Sequence, residues 1–230
     1  MGTGVAMRIG LGIVLAFALW GCGPGGNTDP FAQLGPLAGE WVQGREDRGN
    51  DRFTVTRASL AAQGFDSPFL VGFSETRMRR AGLVQVAENR GVVTWQAGDA
   101  STLSEAGGVL TGTRGLGQDL YTAETAPVLA AMRGDGPMVY TRRYRHLDGL
   151  DQIVVTRFDC HLADVGPERI TVFGQAYATR RFQETCRSGA DAIDNTYWRD
   201  TDNFSYSVMR RSRQWVGADL GYILLERVID

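Results

Sequence analysis

Lysine is absent from this chain, because all 24 of its basic residues are arginines. A P-loop NTPase, a Schiff-base enzyme and a protein kinase each depend on a lysine, so the sequence excludes these three classes. Positive and negative residues are nearly equal in number, which gives a formal net charge of −2 at pH 7. No overall field draws the protein to nucleic acid, and we expect no nucleic-acid partner.

Histidine is scarce, and metal-binding patterns are missing. His146 and His161 have no other His, Cys or Glu at ligand spacing, apart from Cys160, which a disulfide would occupy. The chain lacks a G-x-S-x-G elbow, and the glycines of "TGTRGLGQDL" (111–120) follow G-x-x-G-x-G rather than the dinucleotide-binding spacing. We therefore predict no metal, no cofactor and no catalytic residue.

One enzymatic alternative stays open, because glycosidase carboxylates can lie far apart in sequence. Asp148 and Asp151 flank a glycine in "YRHLDGLD". That arrangement is typical of a hairpin turn before it suggests a pair of catalytic carboxylates.

No apolar run is long enough to span a bilayer. The longest one near the start, Ile9 to Trp20, has 12 residues against the roughly 20 that a helix needs. Arg8 precedes it, which gives the layout of a secretory signal. Leu19-Trp20-Gly21-Cys22 resembles the bacterial lipoprotein processing site, so we expect acylation of Cys22. An ordinary signal peptide with an incidental cysteine is the alternative.

These features divide the chain into three parts. Residues 1–21 are the predicted signal peptide, and residues 22–50 the lipidated N-terminus with a Gly- and Pro-rich tether. Residues 51–230 are predicted to form a single β domain. Acyl chains on one cysteine would hold the protein firmly at a membrane.

Only three cysteines occur, and Cys160 and Cys186 remain as a pair if Cys22 carries lipid. Disulfides persist in exported proteins, so a bridge between these two is favoured. Two buried free thiols are the alternative that spacing leaves open.

Short β-like segments separated by glycine or aspartate turns fill most of the sequence after residue 68. In "DQIVVTRFDCHL" the side chains of Val154, Thr156, Phe158 and Cys160 point one way and the residues between them point the other. Short helices are predicted only at 57–64 and 125–134. No strand alternates with a long helix, so the sequence predicts a mainly β, antiparallel meander.

Arginine pairs two residues apart share a face of a strand. Arg143 with Arg145, and Arg211 with Arg213, could each form a positive stripe, with Trp198 available to stack on a sugar ring. Such stripes could bind an acidic polysaccharide through bidentate contacts to its carboxylates. Solvated arginines paired with the 26 acidic residues are the alternative.

Several segments together resemble one known family. "VVTWQAGDASTL", "GGVLTGTRGLGQDL", "YRHLDGLDQIVVTRFDCHL", "ATRRFQETC", "NTYWRD" and "SRQWVGADLGYILLERV" are similar, in this order, to the YjbF/GfcB group 4 capsule lipoproteins. The resemblance implies an antiparallel sheet folded on itself as a half-barrel or sandwich. It also implies a periplasm-facing outer-membrane lipoprotein that serves exopolysaccharide or capsule production with a porin-like outer-membrane partner.

The resemblance brings no catalytic residues, and it places Cys160 and Cys186 at cysteine positions of the family pattern. Gly23 is not the aspartate that retains lipoproteins in the inner membrane, so the resemblance favours the outer-membrane lipid leaflet. We expect a non-enzymatic accessory protein that binds polymer or docks to a pore. The alternatives are an acyl-binding half-barrel carrier and a polysaccharide-modifying enzyme.

Overall fold

The computed structural model describes residues 55–77, 79–201 and 208–230. The predicted signal peptide, Cys22 and the tether lie outside the described residues. The described residues form two helices, α1 (Arg57–Ala62) and α2 (Ala126–Arg133). Their strands are β1 (Phe69–Ser74), β2 (Arg79–Asn89), β3 (Val92–Ala97), β4 (Thr102–Ala106), β5 (Val109–Arg114), β6 (Leu120–Ala123), β7 (Val139–Leu147), β8 (Ile153–Val172), β9 (Gln175–Ser188), β10 (Asp191–Asp200), β11 (Met209–Gly217) and β12 (Gly221–Ile229).

All twelve strands belong to one antiparallel sheet, in the order β5-β4-β3-β2-β1-β12-β11-β10-β9-β8-β7-β6. Strands that follow one another in sequence pair with each other, except β5 and β6, which lie at the two ends of the order. The last strand also pairs with the first: Phe69 lies opposite Ile229. The sheet is therefore a meander whose two chain ends meet in its middle. This confirms the predicted antiparallel β class and the fold of the sheet upon itself.

The two strands at the ends of this order, β5 and β6, approach each other and nearly close the sheet into a barrel. The Leu120 amide donates to the Thr113 hydroxyl (3.0 Å), and the Arg114 guanidinium donates to the Leu120 carbonyl (3.2 Å). A Cβ at Gly112 would lie 3.2 Å from that carbonyl oxygen, so a glycine permits the close approach. Side chains thus cover two strand edges that would otherwise be exposed to pairing with other chains.

Alternation along the strands separates a buried inner face from an outer face. On β8, Phe158 and Cys160 are buried while Arg157 and Asp159 are exposed, as the alternation predicts. The two β-like segments that the sequence shows at 151–162 and 168–175 belong mostly to this single long strand. A bulge between Asp164 and Gly166 lets the strand continue past Pro167 instead of ending.

Helix α1 packs on the outer face of the sheet, where the described chain enters it. Thr56 and Ser59 form a capping box at its start, and Leu60 packs with Phe69 and Val228. This cluster fixes the end of the barrel at which β1 begins and β12 ends, which we call the entry end.

Helix α2 covers the inward-facing residues at the entry end. Pro127 lies in its first turn, and Gly134 ends it with φ 79°, a left-handed conformation that favours glycine. Val128 and Met132 of the helix pack among inward-facing residues of β8, β9 and β10, together with the first residues of β5 and β11. Among the described residues, no helix has the length and apolar character needed to cross a membrane.

Candidate functional site

A charged and polar cluster lies inside the barrel rather than on its surface. The Arg142 guanidinium donates to Oε2 of Glu184 at 2.7 Å, and both side chains are buried, with 1% and 0% exposure. Tyr140, Asn195 and Tyr197 also donate to the Glu184 carboxylate, at 2.8–2.9 Å. One carboxylate thus accepts hydrogen bonds from residues of β7 and β10 while it belongs to β9, and so ties three strands together.

The groups around this carboxylate do not exchange protons near neutral pH. Burial raises the pKa of Tyr144 to about 12, and it raises the pKa of Tyr197 well above its ordinary value. Burial disfavours the charge of Arg142, but Glu184, Tyr144 and Tyr197 together outweigh it and keep the pKa of Arg142 well above its ordinary value. The hydrogen bonds of the cluster therefore hold the three strands in order.

Two further polar links cross the interior. The Gln214 side chain of β11 accepts from the Leu110 amide and donates to the Gly108 carbonyl, both at 2.9 Å. Glu105 of β4 pairs with Arg227 of β12 at 2.9 Å. Burial raises the pKa of the Glu105 carboxyl, although Arg227 opposes the shift. Polar as well as apolar side chains are therefore buried in the interior of the described part of the barrel.

The structure contains the disulfide between Cys160 and Cys186, which joins opposite residues of β8 and β9. The two sulfurs and a Glu184 carboxylate oxygen lie within 4.8 Å of one another. Because both sulfurs are bridged, neither is available as a thiolate ligand for a metal. This group of side chains stabilises the sheet.

Three of the five predicted polymer-contacting residues meet on the outer face of β10 and β11. Arg211 pairs with Glu226 at 2.6 Å and lies 5.7 Å from the centroid of the Trp198 ring. Arg213 makes two 2.7 Å hydrogen bonds to Glu75. Both arginines are therefore already neutralised by carboxylates of the same chain.

The other two predicted residues, Arg143 and Arg145, lie on β7. Arg143 pairs with Glu124 at 2.9 Å. Three strands separate β7 from β11, which places the two stripes about 19 Å apart at the usual strand spacing. The structure thus divides the predicted residues between two surfaces, and their role in binding a polymer stays a prediction.

The turn between β7 and β8 carries an exposed apolar surface, which we call the β7–β8 tip. Leu150 is 78% exposed at its apex, and Ile153, Val154 and Val155 are 49–51% exposed. Leu147, opposite Ile153, is 38% exposed. Val154 and Val155 point to opposite faces of the hairpin, so the tip is solvent-exposed on both faces.

The tip is exposed because β8 extends beyond the end of its neighbour β9. Pairing with β9 ends where Asp159 lies opposite Arg187, so residues 153–158 have no strand on that side among the described residues. Six residues at about 3.4 Å each give a projection of about 20 Å. Asp148 stabilises the turn by accepting hydrogen bonds from the Leu150 and Gln152 amides, at 2.8 and 2.9 Å.

A groove at the entry end contains Arg199, which the sequence does not predict as a binding residue. The groove has a volume of about 250 Å³ and lies between the end of α2 and the lower parts of β9 and β10. Arg199 lines it, and its Nε atom is buried without a hydrogen-bond partner. In the sequence Arg199 stands alone between Trp198 and Asp200, so no local pattern singles it out. We call this the Arg199 groove.

Comparisons with known proteins identify a family. The sequence model of the family described as "Group 4 capsule polysaccharide lipoprotein gfcB, YjbF" matches residues 46–228. No curated protein matches the chain.

A solved structure shares the fold of this chain. The hypothetical lipoprotein YmcC from Escherichia coli (K12) superimposes with a TM-score of 0.65 at 17% identity, over 80% of this chain and 98% of that one. A protein with a YmcC-like fold from Bacteroides fragilis NCTC 9343 gives a TM-score of 0.28 at 10% identity, over 71% and 93% of the two chains. The E. coli structure shows that the two chains share a fold, and the second structure carries no argument.

Proposed function

This chain belongs to the YjbF family of group 4 capsule polysaccharide lipoproteins, and we propose that it acts without catalysis. The family belongs to the cell envelope and serves capsule or exopolysaccharide production. In this proposal the chain docks to an outer-membrane pore protein through the β7–β8 tip. Lipid on Cys22 would hold the β domain at the inner leaflet of the outer membrane. The exposed apolar tip is the observation that carries the proposal.

The tip has the chemistry of a protein-binding surface. Contiguous exposed apolar residues on a soluble domain mark interaction sites. Here they occupy both faces of a projecting hairpin, and the backbone edge of residues 153–158 is free on the β9 side among the described residues. A partner strand could therefore extend the sheet at this edge while pockets receive the alternating side chains.

Two arginines on the outer face give the tip a positive flank. Arg145 lies opposite Val155, and Arg157 lies two residues further along β8. Neither guanidinium forms an ion pair within the described part of the chain. A partner surface with acidic residues around an apolar centre would match this arrangement and gain speed of association from it.

The position of the tip suits a tethered protein. The N-terminal segment joins the barrel at the entry end. The strand order places the tip at the opposite end of the barrel. Val55 follows Cys22 by 33 positions, which span at most about 110–120 Å when fully extended. The tip can therefore reach a partner held in the same membrane.

The two alternative functions have less support. An acyl carrier needs an apolar cavity, whereas side chains such as Arg142 and Gln214 occupy the interior of the described barrel. An enzyme needs free titratable groups in a cleft, and the interior carboxylates Glu184 and Glu105 are both held by arginines.

The test is a complementation experiment. Deleting the gene should lower the secreted polysaccharide, and the wild-type gene should restore it. A triple variant, Leu150→Ser with Ile153→Thr and Val155→Thr, should fail to restore it although the protein folds and reaches the envelope in normal amounts. Val165→Thr is the matched control, since Val165 is 51% exposed on the same strand but away from the tip.

Two results would overturn the proposal. Unchanged polysaccharide after deletion would remove the role in production altogether. Full restoration by the triple variant would show that the tip is not the docking surface.

A further inference from the structure

The side chains that line the Arg199 groove include more arginines than aspartates. The walls contribute three arginines and two aspartates, together with two apolar and one hydroxyl side chain: Arg133, Arg180, Arg199, Asp135, Asp200, Met132, Phe182 and Thr201. The lining therefore carries a net charge of +1.

Ion pairs account for every charge except one. Asp135 pairs with Arg133 at 3.2 Å, and Asp200 pairs with Arg210 from outside the groove at 2.8 Å. Arg180 makes a bidentate contact with Asp164, at 2.6–2.9 Å. Arg210 also pairs with Asp230, so these outside partners cancel the surplus of the lining. Arg199 is the one lining charge that forms no ion pair among the described residues.

Arg199 is held in an unfavourable setting. It is partly buried, its Nε has no acceptor, and its guanidinium makes no ion pair within the described residues. Burial lowers the pKa of Arg199 from its ordinary value, and the nearby positive charge of Arg133 lowers it further. A buried donor without a partner destabilises a fold, so a bound anion at this position would relieve both effects.

We propose that the Arg199 groove binds a carboxylate group of an acidic polysaccharide, with the Arg199 guanidinium as its ligand. The one unpaired guanidinium presents a planar set of N–H donors, which matches the two oxygens of a carboxylate. Met132 and Phe182 are 7% and 5% exposed, so they give the groove a small apolar contact surface at its base.

The size of the groove fits one sugar unit of a longer chain. Its volume of about 250 Å³ lies below the roughly 300–1,000 Å³ of sites that enclose a drug-sized ligand. A second groove of about 240 Å³, between Pro167 and Thr179, shares Thr201 with the first. Two successive units of a polymer could therefore lie side by side across β8, β9 and β10.

The inference rests on the proposed role in polysaccharide production, and a binding experiment tests it separately. The full chain without its lipid is titrated with tetragalacturonate, an acidic oligosaccharide, and with maltotetraose, a neutral one of equal length. Tetragalacturonate should bind, with an affinity that falls as salt screens the contact, and maltotetraose should bind at least tenfold more weakly.

The variant Arg199→Gln should weaken tetragalacturonate binding roughly tenfold, as expected for loss of a hydrogen bond between charged groups. Arg187→Gln is the matched control, since Arg187 is exposed at the other end of β9 and loses the same charge. Binding that is equal in both variants and the wild type would overturn the inference, as would equal binding of the two oligosaccharides.

Thermal denaturation separates a ligand role from a structural one. Because Arg199 has no partner to lose, Arg199→Gln should leave the melting temperature unchanged or raise it. A clear decrease relative to Arg187→Gln would show that Arg199 stabilises the fold and would overturn the inference. If cells carrying Arg199→Gln secrete normal polysaccharide while gene deletion reduces it, the binding role of the Arg199 groove is refuted and the proposed function is not.

Discussion

The buried carboxylate of Glu184 offers the sharpest test of how this barrel is held together. The change is Glu184→Gln, which keeps the shape of the side chain but removes its charge and replaces one acceptor oxygen by a donor. Tyr140, Arg142, Asn195 and Tyr197 all donate to this carboxylate. The new amide nitrogen would face donors, and Arg142 would be left as an uncompensated buried cation.

The size of the effect follows from burial. Removing one partner of a buried ion pair costs about 3–5 kcal/mol, because the remaining charge stays out of water without compensation. For a domain of this length each kcal/mol lowers the melting temperature by about 2–4 °C, so we expect a decrease of about 6–20 °C. The surface pair of Arg143 and Glu124, with 47% and 31% exposure, should contribute less than about 1 kcal/mol.

Urea denaturation of the oxidised protein measures the free energy of unfolding for each variant by linear extrapolation. Glu124→Gln is the matched control, since it makes the same chemical change in an exposed pair. Equal destabilisation by the two variants would refute the reasoning. So would a Glu184→Gln protein within about 1 kcal/mol of the wild type, because the cost of an unpaired buried cation would then be missing.

Two further predictions concern other interior groups. The pKa of the Glu105 carboxyl is raised in the folded protein, so the folded protein binds this proton more tightly than the unfolded chain does. Glu105 therefore contributes to stability at low pH. This contribution is lost as the pH rises above the ordinary carboxyl pKa and through the folded-state value. Denaturation at a series of pH values should show this fall in the wild type but not in Glu105→Gln, and parallel curves would contradict it. The double variant Cys160→Ala with Cys186→Ala should lose about 3–4 kcal/mol of unfolding free energy, as expected for a loop whose ends are 26 positions apart. A loss below about 1 kcal/mol, measured by urea denaturation, would show that the bridge adds little to a sheet already held by its ladder.

Much of the fold could be predicted because its signals are local. Alternation along β8 identifies the buried face that carries Phe158 and Cys160, and Pro127 with Gly134 marks the ends of α2. The resemblance to the family is confirmed by its match over residues 46–228. The continuity of β8 through Pro167 could not be predicted from the same signals, since a bulge absorbs the residue that would otherwise end the strand.

The candidate site was harder to predict because it depends on which charges meet. Arg213 is neutralised by Glu75, which lies 138 positions away along the chain. Its spacing from Arg211 places the two on one face but says nothing of that carboxylate. Arg199 shows the reverse case, since it has an acid beside it in sequence, Asp200, and yet Asp200 pairs with Arg210.

The sequence by itself determined the β class, the absence of lysine chemistry and the two inner cysteines, because composition and period-two alternation depend on near neighbours alone. It also predicts the lipid anchor at Cys22. Only the tertiary structure decided that the sheet nearly closes and that Arg142 and Glu184 lie inside it. It also decided that the β7–β8 tip and Arg199 have no partner among the residues that the structure describes. The physical reason is that strand register sets which distant side chains come within hydrogen-bonding distance, and no local pattern encodes that register across twelve strands.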